Sequence, residues 1–181
     1  MKGQILVASP ELLLDEIFSK TVILITDRHD EGTVGFVLNK PLTVHVSEVS
    51  ESLKNLDYQL WEGGPVATEN LYFLHNLPGI FDENLPVTGD IFWSGDFERL
   101  EQLSRENPGI LNGRAKFFLG YSGWSPGQLE REIQDGAWLV IDRPDFDIFN
   151  LNPRHIWAEL IHRHKPQWDL WRNAPSDPAL N

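Results

Sequence analysis

The chain has 181 residues, with 15 Lys+Arg against 27 Asp+Glu, no cysteine and a formal charge of −12. A chain of this length forms one domain and buries roughly 70% of its unfolded surface, so it needs no disulfide or metal to fold. The missing cysteines exclude disulfide frameworks, thiolate metal sites and cysteine nucleophiles, and the acidic balance opposes a nucleic-acid backbone.

The first three elements read as strands over residues 4–8 (QILVA), 21–26 (TVILIT) and 33–38 (TVGFVL). Each is short, rich in β-branched residues and bounded by turn formers. Residues 10–18 hold a helical turn or two between the first pair, and the polar link 27–32 reads as a hairpin connection. The third strand stops at Asn39-Lys40-Pro41, and residues 44–56 have helical spacing with Ser47 as a possible N-cap. Residues 58–62 and 70–74 form a second hairpin-like pair broken by Gly63-Gly64-Pro65-Val66, and residues 87–93 are one further strand.

Asp96 is placed to cap a helix over 97–106, stopped by Asn107-Pro108-Gly109. Residues 115–121 (AKFFLGY) are a strongly apolar strand. Ser125-Pro126-Gly127-Gln128 has the pattern of a capping box, with Ser125 as N-cap of a helix reaching Asp135 and Gly136 as its left-handed stop. Residues 137–141 return as a strand, and Asn152-Pro153 caps a last helix over 153–164. The aromatic, proline-bearing tail after Lys165-Pro166 is expected to pack on the domain or to be partly loose. This order is α+β, with helices set between hairpins, and differs from the regular alternation of a doubly wound sheet.

No run of Lys or Arg and no reading helix marks a DNA-binding face; residues 1–90 carry 5 basic and 14 acidic side chains, net −9. No stretch approaches the roughly 20 apolar residues of a membrane span, and no leader pattern precedes the first strand. A cytoplasmic protein is the expectation.

The segment 120–128 carries the densest set of candidate residues. Gly120-Tyr121-Ser122-Gly123-Trp124 resembles a nucleophile elbow, but Trp124 stands where that motif needs its last glycine. The better reading of Tyr121, Ser122, Gly123, Trp124, Ser125 and Gly127 is a binding turn. Its backbone N–H groups would receive an anion or a partner's carbonyl, and its two rings would stack. Gly63, Gly64, Asn39 and Lys40 join it as candidate contacts, with a kink between paired strands as the alternative for the glycines. His155, His162 and His164 follow Asp142, Asp145 and Asp147, a mixture that suits metals. They also sit among Trp157, Trp168 and Trp171, which favours a polar helix end packed on aromatics. No metal or cofactor is expected.

Six blocks then carry a resemblance: GQILVASP (3–10), FSKTV (18–22), GFVLNKP (35–41), GGPV (63–66) with Leu74-His75, GYSGWSPGQLEREI (120–133) with Asp135-Gly136-Ala137-Trp138, and SDPALN (176–181). Together they resemble the YqgE/AlgH family of bacterial proteins across nearly the whole chain. The resemblance implies a branched, mostly antiparallel β-sheet rolled into a pseudo-barrel with flanking helices, in the bacterial cytosol. It implies no settled activity; one branch has been called a transcriptional regulator. From residues and resemblance together, the expected function is binding a partner protein or a small anionic ligand. A hydrolase or transferase working at the 120–128 turn is the alternative.

Overall fold

A computed structural model describes residues 1–174. The SDPALN block at 176–181 lies outside the described residues. The elements are β1 (Ile5–Ala8), β2 (Val22–His29), β3 (Gly32–Val37), β4 (Pro41–His45), α1 (Val46–Val49), β5 (Gln59–Glu62), β6 (Val66–His75), β7 (Asn84–Thr88), β8 (Ile91–Ser94), α2 (Phe97–Glu106), β9 (Ala115–Trp124), α3 (Gln128–Gln134), β10 (Trp138–Ile141) and α4 (Ile156–His164). The strands join in the order β10-β1-β2-β3-β9-β6-β8-β7, with β4 and β5 branching off β9. All pairs are antiparallel except β5 with β9. The result is the branched sheet, curled into a half-barrel and flanked by helices.

Strand β9 is the branch. Its first part, through Leu119, lies between β5 and β6, and its last three residues, Ser122–Trp124, pair instead with Thr33–Gly35 of β3. The link between β5 and β6 crosses β9 at this change of partner. A Cβ on Gly63 would stand 2.2 Å from the Gly120 carbonyl oxygen, and one on Gly64 would stand 2.4 Å from the Ser122 nitrogen. A Cβ on Gly120, whose φ is +68°, would meet the Gly64 oxygen at 2.5 Å. Only glycine lets two backbones come this close.

The strands read as continuous apolar runs because most are covered on both faces. In β1 and β2, Ile5, Val7, Val22 and Leu24 point to a core closed by α4, through Ile156, Trp157, Leu160 and Ile161. Leu6, Ala8, Ile23 and Ile25 point the other way, to Leu129 of α3 with Trp124 and Trp138. In the other half, Leu74 and Phe118 share the α4 core, while Phe73 and Phe117 meet Leu100 and Leu103 of α2. Among the tail's described residues, Trp168 and Ala174 pack on the α4 core.

Several expectations need correction. The helix expected over 44–56 is cut down to the short α1: its first two residues, Val44 and His45, end β4, which ladders with β5, and His45 rather than Ser47 stands at the N-cap. β5 and β6 form no hairpin with each other; both flank β9. The single strand expected at 87–93 is a hairpin, folded at Gly89-Asp90 where Gly89 has φ +55°. The 27–32 link shrinks to Asp30-Glu31, since His29 and Gly32 still pair. α4 begins at Ile156, and Asn152 caps the preceding turn by accepting from the Arg154 N–H.

At the end of α3 the reading holds. Gly136 has φ +84°, its N–H donates to the Ile133 carbonyl at 3.1 Å, and the Ala137 N–H donates to that of Glu132 at 2.9 Å. That is a Schellman stop. A Cβ on Gly136 would meet only Glu11 Oε1, at an ordinary contact distance of 3.9 Å, so Gly136→Ala strains chiefly the backbone and should cost about 1 kcal/mol. Gly120→Ala adds collision with the Gly64 carbonyl and should cost at least about 2 kcal/mol. Urea denaturation midpoints of the two variants check this ordering; equal losses would show that the crossing can relax.

Candidate functional site

The structure disperses the expected binding turn. β9 runs through Trp124, so residues 122–124 are strand and the turn is only 125–127. Ser125 is not the N-cap of α3. Gly127 is, with φ +74°, and what survives of the box is the Ser125 N–H donating to Gln128 Oε1 at 3.0 Å.

Ser122 is fully buried, and its hydroxyl donates to the Gly63 carbonyl at 3.1 Å. That bond ties the branch together and withholds the hydroxyl from any substrate. Trp124 is also buried, at 5% exposure. Its indole N–H donates to Glu132 Oε2 at 2.9 Å, and the Trp138 N–H donates to the same oxygen at 2.8 Å. The Trp124 ring therefore fastens α3 to the sheet and does not stack on a ligand. Tyr121 is half-buried and packs edge-on against Tyr72, with centroids 5.8 Å apart.

Gly63 and Gly64 stand beside this cluster as parts of the crossing. Asn39 and Lys40 do not. Asn39 accepts from the Val22 N–H at 2.8 Å and donates to the Lys20 carbonyl at 2.9 Å, and Lys40 donates to the Ile17 carbonyl. Both clamp the segment that precedes β2.

Tyr121, Gly123, Trp124 and Ser125 border a shallow depression of about 310 Å³, shared with His29 and Glu31. Gly127 borders a neighbouring cleft of about 380 Å³ with Arg28, Asp30 and Glu130. Arg28 is already engaged, since it contacts Glu130 at 2.7 Å. With Glu130 paired, Asp30 and Glu31 against Arg131, whose guanidinium lies beside Gly127, leave this corner with a negative balance that disfavours an anion.

Two of the late histidines, His162 and His164, lie against carboxylates. His162 lies 2.8 Å from Asp169, and Asp145 receives Arg163 at 2.6 Å and stands 3.5 Å from His164. Among the described residues no group of three potential ligands converges on a metal position.

A larger concavity lies elsewhere and was not anticipated from the sequence. A cleft of about 570 Å³ is walled by Leu71 and Tyr72 of β6, Leu85 of β7, Trp93 of β8 and Phe97 of α2. A second, of about 500 Å³, shares Leu71, Tyr72 and Phe97 and continues to Val49 and Leu53. The two adjoin along those three residues and together make a groove, mainly apolar in its larger part and more polar at its smaller end, where Ser50, Ser52, Glu69 and Asn70 join the wall. Val49, Leu85 and Phe97, with 44%, 51% and 36% of their surfaces exposed, are three of the eight large exposed hydrophobics among the described residues. The groove exists because β8 pairs only with Phe73–His75 and leaves Leu71 and Tyr72 uncovered. A sequence signal was present: Leu85 is an apolar strand residue next to Asp82 and Glu83, beside a proline that favours a sheet edge.

Comparison with known proteins agrees with this fold. The AlgH-like family profile matches residues 5–169. A UPF0301 protein of Chlorobaculum parvum is 35% identical over 180 residues, spanning 99% of this chain and 95% of its own length. One from Cytophaga hutchinsonii is 36% identical over 181 residues, spanning 99% and 98%. The solution structure of AlgH from Pseudomonas aeruginosa superposes with a TM-score of 0.74 at 26% identity, covering 96% of this chain and 94% of that one. A Corynebacterium diphtheriae protein shares the fold at a TM-score of 0.68 and 22% identity, covering 94% and 91%.

One buried cation remains. Lys116 of β9 is 2% exposed. Its amine lies 3.4 Å from the centre of the Trp61 ring and donates to the Ile148 carbonyl at 3.3 Å. Burial lowers its pKa from 10.5 to about 7, against an opposing pull from Asp147. Between pH 7 and 10.5 the unfolded chain therefore holds the proton that the folded chain releases, so this group makes stability rise with pH across that window. The slope approaches about 1.4 kcal/mol per pH unit. Lys116→Met should raise stability at pH 7 and flatten that rise, as followed by denaturant unfolding from pH 7 to 10. A variant with the parent's slope would show that the amine is solvated.

Proposed function

The chain belongs to the AlgH-like family, and on that premise we propose that it is a cytosolic binding protein whose capturing surface is the groove between β6, β8 and α2. The observation that carries this reading is the groove itself. An apolar concavity of about 570 Å³ opens to solvent and is lined by Tyr72, Trp93 and Phe97. Aromatic anchors set in a concave apolar surface are what binding sites use, and a contiguous exposed apolar patch is uncommon on a protein without such a role.

The polar corner near Gly127 supports a second reading less well. It offers backbone N–H groups, but Arg28 is paired with Glu130, and Arg131, whose guanidinium lies against Gly127, is outnumbered by Asp30 and Glu31, so the corner keeps a negative balance. A hydrolase at Ser122 would have to break the hydroxyl's bond to Gly63 and open the sheet branch. A transcriptional role through direct DNA contact would work against a charge of −12; an indirect role through a bound partner fits the groove.

The test is affinity capture from the native cytosol, reading bound proteins and small molecules together by mass spectrometry. Wild type is compared with Leu85→Ser combined with Val49→Ser, and with Ser125→Ala combined with Gly127→Ala. The groove pair should lose what wild type captures, and the turn pair should keep it. The reverse pattern would place the function at the turn. Both groove positions are exposed, so each substitution should change the unfolding free energy by less than about 0.5 kcal/mol.

A further inference from the structure

Resting on the groove as the capturing surface, we propose that its occupant is a polypeptide segment of a partner protein with apolar anchors flanked by lysine or arginine. The apolar floor is Leu71, Tyr72, Trp93 and Phe97. The rim is acidic at both ends. Asp82 and Glu83 border the larger cleft, and Glu69 borders the smaller one. Asp96 and Glu98 extend the larger end into an adjoining cleft of about 420 Å³ that also includes Asp82 and Glu83. No lysine or arginine lines any of the three clefts.

The nearest cation on α2 is turned away. Arg99 donates from Nε to the Ile80 carbonyl, and from its guanidinium to Gln102 and Glu106. Glu69, Asp82, Glu83 and Glu98 take part in no ion pair among the described residues. The rim thus presents carboxylates without ion-pair partners, of which Glu98 is partly offset by the N-terminus of α2, around a floor that prefers to lose water. A ligand satisfying both must be apolar at its centre and cationic at its ends.

The same charges argue against other occupants. A second copy of this chain would bring its own net charge of −12, so self-association through the groove would oppose like charges. An anionic small molecule would face the same repulsion. The two clefts run into one another through Leu71, Tyr72 and Phe97, which suits an elongated segment with several anchors better than one compact ligand.

The experiment is selection from a random-peptide phage library on the full-length protein, with counter-selection on Leu85→Ser combined with Val49→Ser. Selected sequences should carry leucine or aromatic residues flanked by lysine or arginine. A synthetic peptide of the selected sequence should bind roughly tenfold more weakly to Glu69→Lys combined with Glu83→Lys and Glu98→Lys, and its affinity should fall with added salt. Peptides that need the groove but show no basic enrichment and no salt dependence would overturn the charge assignment and leave the groove as the binding surface. A selection yielding only peptides indifferent to the groove pair would overturn both. Self-association of the free protein lost in that pair would assign the groove to a second copy and overturn the proposal.

Discussion

Two backbones pass within carbonyl distance where Gly63-Gly64 crosses Gly120, and the sheet takes its shape from that contact. Any side chain at these positions would push the β5–β6 link away from β9. The Ser122 hydroxyl, bonded to the Gly63 carbonyl, closes the crossing from the other side. With the crossing closed, β9 can serve β5 and β6 along its first part and β3 along its last three residues. One strand thereby belongs to two half-sheets, and the curl follows.

The branch also decides where the surface is left unfinished. β6 has ten residues because it must reach past β9's change of partner, while β8 has only four. The difference leaves Leu71 and Tyr72 without a strand beyond them, and α2, starting at Phe97 just after β8, walls the gap. Inside the half-barrel the rings of Phe36, Phe118, Tyr72 and Trp93 meet at centroid distances of 4.9–6.3 Å, which fixes Tyr72 and Trp93 at the groove's floor. A rigid aromatic floor loses little conformational freedom on binding. The groove is thus a consequence of the same strand geometry that holds the core.

Local signals were legible in the sequence and distant ones were not. Asp96 accepting from the Arg99 N–H and Gly136 in its left-handed stop depend on neighbours a few residues away, and both stand as read. The burial of Trp124 depends on pairing with β3 and on Glu132, two separate parts of the chain, so its ring looked free. Val44 and His45 open the stretch with helical spacing, but the ladder with β5 outweighed local propensity. The groove was missed for a related reason. Leu71, Tyr72, Trp93 and Phe97 each read as part of their own elements, Leu85 fell in a connection outside the expected 87–93 strand, and only the short reach of β8 leaves them open.

The account's central claim is that this protein recognises its ligand on the floor of the β6–β8–α2 groove. The most direct test is a backbone and aromatic NMR titration of the isotopically labelled protein with a groove-selected peptide. The account predicts shift changes centred on Leu71, Tyr72, Trp93 and Phe97, with Tyr121 following Tyr72 through their edge-on contact. Changes confined to His29, Ser125 and Gly127, with the groove residues unmoved, would contradict it.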